Sequence, residues 1–340
     1  MTVEEAFGGL IEQVVGEGEL EASLEVSIFG TSDPVSIADA VDGFCRRELG
    51  AAVERCLFYA SSQGAVFGLD LVDQGRLVLK AHQPDRTAHF LSTVQEVQRH
   101  LSASGFPCPA PILGPRPLGR GVAVVDELLS DGAYVDAHVP AIRMAMAFAL
   151  SSLVRLAHGF VSSQNLPRSP LMNLPAGSLW RSPHHPMFDF DATAAGAEWI
   201  DARATWARRE LEAEVGEMVV GHTDWSVKDF RFRDGRITAI YDWDSLAVER
   251  EPVIVGHAAT HFSMTWRLPV RVAPTPHEVM AFIAEYEDAR EQSFSAAERR
   301  AVDAAGIYSM AYTARCEHAL DPEAKEYPPG SAREFLAGLM

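Results

Sequence analysis

The stretch Gly221–Leu246, GHTDWSVKDFRFRDGRITAIYDWDSL, constrains this chain more than any other part of it. His222 and Asp224 stand two apart, Asp229 follows five residues later, and Asp242 sits in an aromatic-flanked Asp-Trp-Asp. The alternation Phe230-Arg231-Phe232-Arg233, a tight turn at Asp234-Gly235 and the run Ile237 to Tyr241 predict a β-hairpin. A hairpin of that length brings its ends side by side, so Asp224 and Asp229 from the leading loop would face Asp242. Three converging carboxylates repel one another unless a cation or a proton sits among them. That arrangement suits a magnesium–phosphate site. The alternative is a turn whose aspartates only cap and solvate.

The stretch resembles the catalytic core of the aminoglycoside phosphotransferase and choline kinase-like family, whose sequences run His-x-Asp-x-x-x-x-Asn, hairpin, then Ile-Asp-Trp. The resemblance implies an α+β fold of the two-lobed protein-kinase-like kind: a small lobe with an antiparallel sheet plus a helix, and a large, mainly helical lobe. It further implies transfer of the γ-phosphoryl of ATP or GTP, with Mg2+, to a hydroxyl of a small molecule. Carried over residue by residue, it makes Asp224 the catalytic base, His222 a brace for its loop, and Asp229 and Asp242 metal ligands. Asp229 stands where the family has Asn, which adds a negative charge and would strengthen metal binding. The family often continues with Gly-Asp-Pro-x-x-Asp, whose last Asp braces the catalytic loop. Here Glu251-Pro252 keeps the acidic-Pro pair and Val255 replaces the last Asp, so the brace must come from elsewhere or the loop is looser.

The rest of the chain divides accordingly into an N-terminal extension (1–30), a small nucleotide-binding lobe (31–127) and a large catalytic and acceptor-binding lobe (128–340). The extension reads as a helix from Val3 to Val15 and a strand-like run from Leu24 to Phe29. A helix capped by Ser36 runs to about Leu49. Strands follow at Val53–Ala60, Ala65–Val72 and Arg76–Ala81, with Gly64, Gly68 and Asp73-Gln-Gly75 as turns. A helix from Thr87 to Ala103 precedes strands near Ile112 and at Gly121–Glu127. Beyond these, helices are expected at Ala141–His158 and Gly196–Val215, separated by a Pro- and Ser-rich insertion from Ser162 to Pro186, and three more follow the hairpin.

In the small lobe the resemblance implies that Lys80 holds nucleotide phosphates, that Glu96 is its ion-pair partner, and that the loop around Gly64 covers the nucleotide. The backbone from Glu127 to Leu129 would meet the base. Each has an ordinary alternative: a strand-end lysine in water, a solvated helix-face glutamate, a plain hairpin turn. The loop contains neither Gly-x-x-x-x-Gly-Lys nor a complete Gly-x-Gly-x-x-Gly.

A net charge of −18 argues against a nucleic-acid partner, which requires a basic patch. The four cysteines have no paired spacing, which fits a reducing cytoplasm. The apolar run from Met144 to Leu153 is bracketed by arginines and too short to span a bilayer, so no membrane association is expected. From Asp189 to Glu217 the chain carries Asp189, Asp191, Glu198, Asp201, Glu210, Glu212, Glu214 and Glu217 against Arg203, Arg208 and Arg209, either a wall that would favour a cationic, amine-bearing acceptor or a solvated helix face on an acidic protein. Two competing readings remain. One is a catalytically impaired, nucleotide-binding pseudokinase. The other is a metal-dependent hydrolase built on His257 and His261, although Ala258 stands where its glutamate base belongs.

Overall fold

The computed structural model describes residues 3–16, 22–61, 63–175, 177–183, 185 and 187–339. Ser62 of the expected nucleotide loop, and Ala176, His184 and Pro186 of the expected insertion, lie outside these. The chain forms two compact units, Met1–Ala103 with Cys108–Ser130, and Ser104–Pro107 with Asp131–Met340.

The first unit opens with helices α1 (Val3–Gly16), α2 (Ala22–Phe29) and α3 (Pro34–Glu48). Strands β1 (Val53–Ser61), β2 (Gly64–Leu71) and β3 (Gly75–His82) follow, then α4 (Ala88–Ala103), β4 (Pro111–Leu118) and β5 (Gly121–Glu127). The strands make one antiparallel sheet in the order β1-β2-β3-β5-β4. One sheet face buries Phe67, Leu69, Leu79, Ala81 and Val125 against α1, α2 and α3. The N-terminal residues are therefore not an appendage. Phe7, Ile11, Leu24 and Ile28 sit in this core, each worth roughly 1.5–3 kcal/mol of burial.

Three local expectations change. Residues Leu24 to Phe29 are helical, because in so short a run Leu24 and Ile28 satisfy a helical spacing as well as an alternating one. Helix α3 is capped by Asp33, whose side chain accepts from the Ser36 N–H (2.9 Å), with Pro34 opening the helix. Gly68 lies inside β2, not at a turn, directly opposite Phe58. A Cβ at Gly68 would come within 2.2 Å of the Phe58 ring, so the glycine makes room for the aromatic.

The second unit is mainly helical: α5 (Pro140–Leu156), α6 (Glu198–Leu211), α7 (Glu251–His261), α8 (Pro276–Ala289), α9 (Ala296–Leu320) and α10 (Ala332–Ala337). Between α6 and α7 lie two antiparallel pairs, one nested inside the other. The outer pair is β6 (Met218–His222) with β9 (Leu246–Arg250), in a register that sets His222 opposite Leu246. The inner pair is the expected hairpin, β7 (Phe230–Arg233) with β8 (Arg236–Ile240), in which Phe230 faces Ile240. Asp234 and Gly235, both at positive φ (51° and 74°), form its two-residue turn. The loops 223–229 and 241–245 are thus held side by side, clamped by a ladder at each end.

The segment Pro140–Phe160 is long and apolar enough to cross a membrane by length and composition. In this unit it is a core helix: Met146, Ala147, Leu150 and Leu153 are fully buried, and Arg143 makes a bidentate ion pair with Glu285 (2.7–3.2 Å).

Candidate active site

The clamped loops deliver the three aspartates together. Asp224, Asp229 and Asp242 each offer a carboxylate oxygen, and these atoms lie within 4.8 Å of one another. Among the described residues this is the one group of three His, Cys, Asp or Glu side chains so arranged. Unit charges about 4–5 Å apart interact by roughly 3–4 kcal/mol at an effective dielectric of about 20, so the cluster needs a cation. Its donors are all carboxylate oxygens, the ligand set that a hard divalent ion such as Mg2+ takes.

Lys228 supplies one positive charge. Its Nζ donates to Asp224 Oδ2 (2.8 Å) and Asp229 Oδ2 (2.5 Å), and it lies 5.7 Å from the centre of the Trp266 ring. Burial disfavours the ammonium, yet Asp229, Asp224 and Asp242 outweigh that and hold Lys228 above its ordinary value. Burial pushes the Asp229 carboxyl up to about 7, against the pull of Lys228 and with a further push from Asp242 and Asp224. Ser226 Oγ donates to Asp224 Oδ1 (3.1 Å), fixing the other oxygen of that carboxylate. The extra negative charge expected from Asp229 is therefore offset by its neighbour Lys228.

His222 acts on the backbone. Its Nδ1 accepts from the Asp224 N–H (3.2 Å), which leaves Nε2–H to donate to Tyr241 O (3.2 Å). The ring thus ties the Asp224 loop to the end of the hairpin. It is wedged edge-on between Trp225 and Trp243, and burial lowers its pKa against the pull of Asp242 and Asp224. Asp242 itself adopts a left-handed backbone (φ 64°, ψ 43°), which aspartate tolerates better than most residues. Ser245 holds it there, with N–H to Asp242 O (3.0 Å) and Oγ to Asp242 Oδ2 (2.8 Å).

The brace that Val255 does not provide comes from main-chain carbonyls. Val227 N–H donates to Phe262 O (2.9 Å), the Thr223 N–H and Oγ1 both donate to Ser245 O (2.9 Å each), and Trp225 Nε1–H donates to Met146 O (3.2 Å). The loop is anchored, not loose.

In the first unit, cross-strand pairing puts Ala60, Val66, Lys80 and Val124 in one row, and Phe58, Gly68, Val78 and Asp126 in the next. Paired residues point to one face, so Lys80 stands among valines beside Phe58, on the sheet face away from the N-terminal helices. Gly64 sits against it: a Cβ there would lie 3.5 Å from Lys80 Cε and 2.9 Å from Ala81 O. Glu96 does not fit its expected part. It is exposed, and among the described residues its side chain has no hydrogen bond or ion pair. The buried polar residue beside it is Gln95, which donates to Leu113 O (3.0 Å) and Asp126 Oδ1 (3.3 Å). The preceding position wins because the buried stripe of α4 runs through Leu91, Val94, Gln95 and Gln98. Glu127 is exposed, its N–H already given to Ala110 O (2.9 Å), and Leu129 is half-buried beyond the end of β5. The valine row and Phe58 escaped the sequence reading, although strand alternation carried the signal.

His257 and His261 do not form a hydrolase centre. Their rings stack at 4.3 Å within the α7–α9 contact. His257 Nδ1 bonds Ser309 Oγ (2.6 Å), while His261 bonds Thr260 and Thr313 (3.0 and 3.3 Å). Burial lowers both, His257 to about 4; Asp224 opposes the shift at His257, while Arg181 and His222 add to it there and Lys228 adds to it at His261. A histidine held neutral in the fold stabilises it above its unfolded value of about 6.5, and that contribution is lost as pH falls toward the folded value. Thermal unfolding measured from pH 7 to pH 4 is therefore expected to show a falling Tm across that window, with a shallower fall in His257→Gln.

An antiparallel sheet with Lys80 on one face, and a clamped His-x-Asp loop beside a hairpin ending in Asp, define a phosphotransferase of protein-kinase-like fold. A profile described as "Phosphotransferase enzyme family" matches residues 63–301, and the chain belongs to that family. The fold is similar to that of a spectinomycin phosphotransferase in its AMP-bound complex, with TM-score 0.58 and 11% identity over 88% of this chain and 98% of that one. It is also similar to that of an amicoumacin kinase in complex with AMP-PNP and Ca2+, with TM-score 0.54 and 11% identity over 83% of this chain and 86% of that one. By sequence, the chain is 24% identical over 229 residues to acyl-CoA dehydrogenase family member 11 of Gallus gallus, 64% of this chain. It spans only 28% of that relative's length.

Proposed function

We propose that this chain is an active small-molecule kinase that moves the γ-phosphoryl of ATP or GTP to a hydroxyl of its acceptor. The observation that carries this is the convergence of Asp224, Asp229 and Asp242 within 4.8 Å, the first two on a loop braced from four directions. Phosphoryl transfer asks little covalent work of a protein; it needs in-line positioning and neutralised charge. Asp224, with 42% of its side chain exposed against 18% for Asp229, is open enough to orient an acceptor hydroxyl and take its proton as the new O–P bond forms and the nucleoside diphosphate leaves. Asp229 and Asp242 are the residues that would hold Mg2+, which when bound neutralises phosphate oxygens. Lys80, flanked by Val66 and Val124, would contact the nucleotide phosphates, and Leu128 or Leu129 would supply the donor to the base that the Glu127 N–H does not. Retention of Lys80, Asp224 and Asp242 argues against the pseudokinase reading. Nucleotide turnover by the purified protein, tested with ATP and GTP against a panel of hydroxylated metabolites and aminoglycosides, checks the proposal. Absence of any acceptor-stimulated diphosphate release would overturn it.

For the acceptor we favour an amine-bearing, hydroxylated molecule. Asp189 and Asp201 are taken up in local bonds, to the Asp191 and Ala192 N–H groups and to Trp180 Nε1, but Asp191, Glu198, Glu212 and Glu217 remain exposed. Matched cationic, neutral and acidic alcohols compared at low and high salt are expected to show a cationic preference that weakens with salt. A preference for acidic acceptors would sink this part alone. A cytoplasmic location fits the four cysteines, all free and buried, each pushed up to about 12 by burial.

A further inference from the structure

We propose that Lys228 is the built-in counter-cation of the carboxylate cluster, and that it turns away a free divalent ion, so that metal enters together with nucleotide phosphates. The inference rests on the phosphotransferase reading for the nucleotide part only. Its exclusion of free metal stands on the geometry of the cluster.

Nζ of Lys228 makes two charged hydrogen bonds at once, to Asp224 Oδ2 (2.8 Å) and Asp229 Oδ2 (2.5 Å), with only 14% of its side chain exposed. A divalent ion seated on Asp229 would bind a carboxylate whose Oδ2 the ammonium already holds, and would sit beside a positive charge it cannot ligate. An ammonium has three N–H donors and no acceptor. Arriving phosphate oxygens change the balance: they accept from Lys228, draw it off the aspartates, and bring the ion with them. Charge supports the same conclusion. Three carboxylates and one lysine sum to −2, the sum for two carboxylates and a neutral asparagine. With Asp229 ionised, Lys228 and Asp229 together carry the same charge as the Asn that the resemblance implies at 229, and changing either residue alone breaks the balance.

Mn2+, as a reporter for Mg2+, can be titrated into the full-length, nucleotide-free protein and its free concentration followed by electron paramagnetic resonance. Lys228→Met is expected to bind Mn2+ about tenfold or more tighter than the parent protein, and Asp229→Asn more weakly. Lys228→Arg, and the double variant carrying Lys228→Met and Asp229→Asn, should return close to the parent value. Lys228→Gln provides the same charge removal if Lys228→Met unfolds, as judged by circular dichroism. Affinity in the charge-removing variants no tighter than in the parent overturns the proposal, as does Asp229→Asn binding more tightly. The phosphotransferase reading is judged apart, by whether Mg2+ strengthens ATP binding to the parent protein. It can fail while Lys228 still excludes Mn2+, and it can hold while Lys228 does not.

Discussion

Asp224→Asn is expected to cut acceptor-dependent turnover by about 10²-fold or more, the usual worth of a positioned general base, while nucleotide affinity stays close to that of the parent protein. The split follows from the position of the residue. The carboxylate oxygens bond Ser226 and Lys228, whereas the contact with His222 is made by the Asp224 backbone N–H, which asparagine retains. The substitution therefore removes a proton acceptor without dismantling the loop. Turnover is read by diphosphate release and affinity by calorimetry with a non-hydrolysable nucleotide. A variant that keeps most of its turnover removes Asp224 from the chemistry. One that loses nucleotide binding in parallel shows that Asp224 serves the nucleotide instead.

Asp242→Ala should abolish the magnesium dependence of nucleotide binding, because it removes the carboxylate best placed to link metal and phosphates. It also deprives Ser245 Oγ of its acceptor and puts alanine in a left-handed backbone, so a second substitution separates charge from conformation. Asp242→Asn tolerates that backbone and keeps a side-chain acceptor for Ser245. Calorimetric titration of ATP with and without Mg2+ is expected to show the same loss of metal dependence in both variants, with a lowered Tm mainly in the alanine. Should only the alanine variant lose the effect, conformation and not ligation would be the role of Asp242.

What the sequence made legible follows the periodicity of each segment. The hairpin from Phe230 to Ile240 alternates, has a two-residue turn with a mandatory backbone shape, and could be read outright; the aspartates at its ends came with it. Strands β6 and β9 were invisible for the opposite reason. Val219, Val220 and Gly221 on one, and Leu246 to Glu249 on the other, are buried on both sides, and a short run with no solvent face carries no alternation. Helix α7 is also buried at all eleven residues, yet its length distinguishes it, and it is one of the three helices expected after the hairpin. Glu96 shows a further limit. Helical spacing says that a carboxylate lies on α4, but a one-residue change in rotation, about 100° on a helix, decides whether Glu96 or Gln95 faces inward. For Lys228 the sequence offers two roles, a phosphate contact or an offset to the neighbouring carboxylates; only the closed loop shows which oxygens its ammonium reaches.

The anchoring of the catalytic loop by carbonyl oxygens has a consequence for how the chain tolerates variation. Phe262, Ser245 and Met146 contribute acceptors that every amino acid possesses, so the genetic code can rewrite their side chains without deleting the bond. A saturation library selected for function should be permissive at Met146, within the apolar residues its core position accepts. It should be sharply intolerant at Trp225, whose indole N–H has no counterpart among the other side chains of its shape. Fixing a loop through the invariant part of the polymer makes its geometry heritable through drift that would erase a side-chain brace.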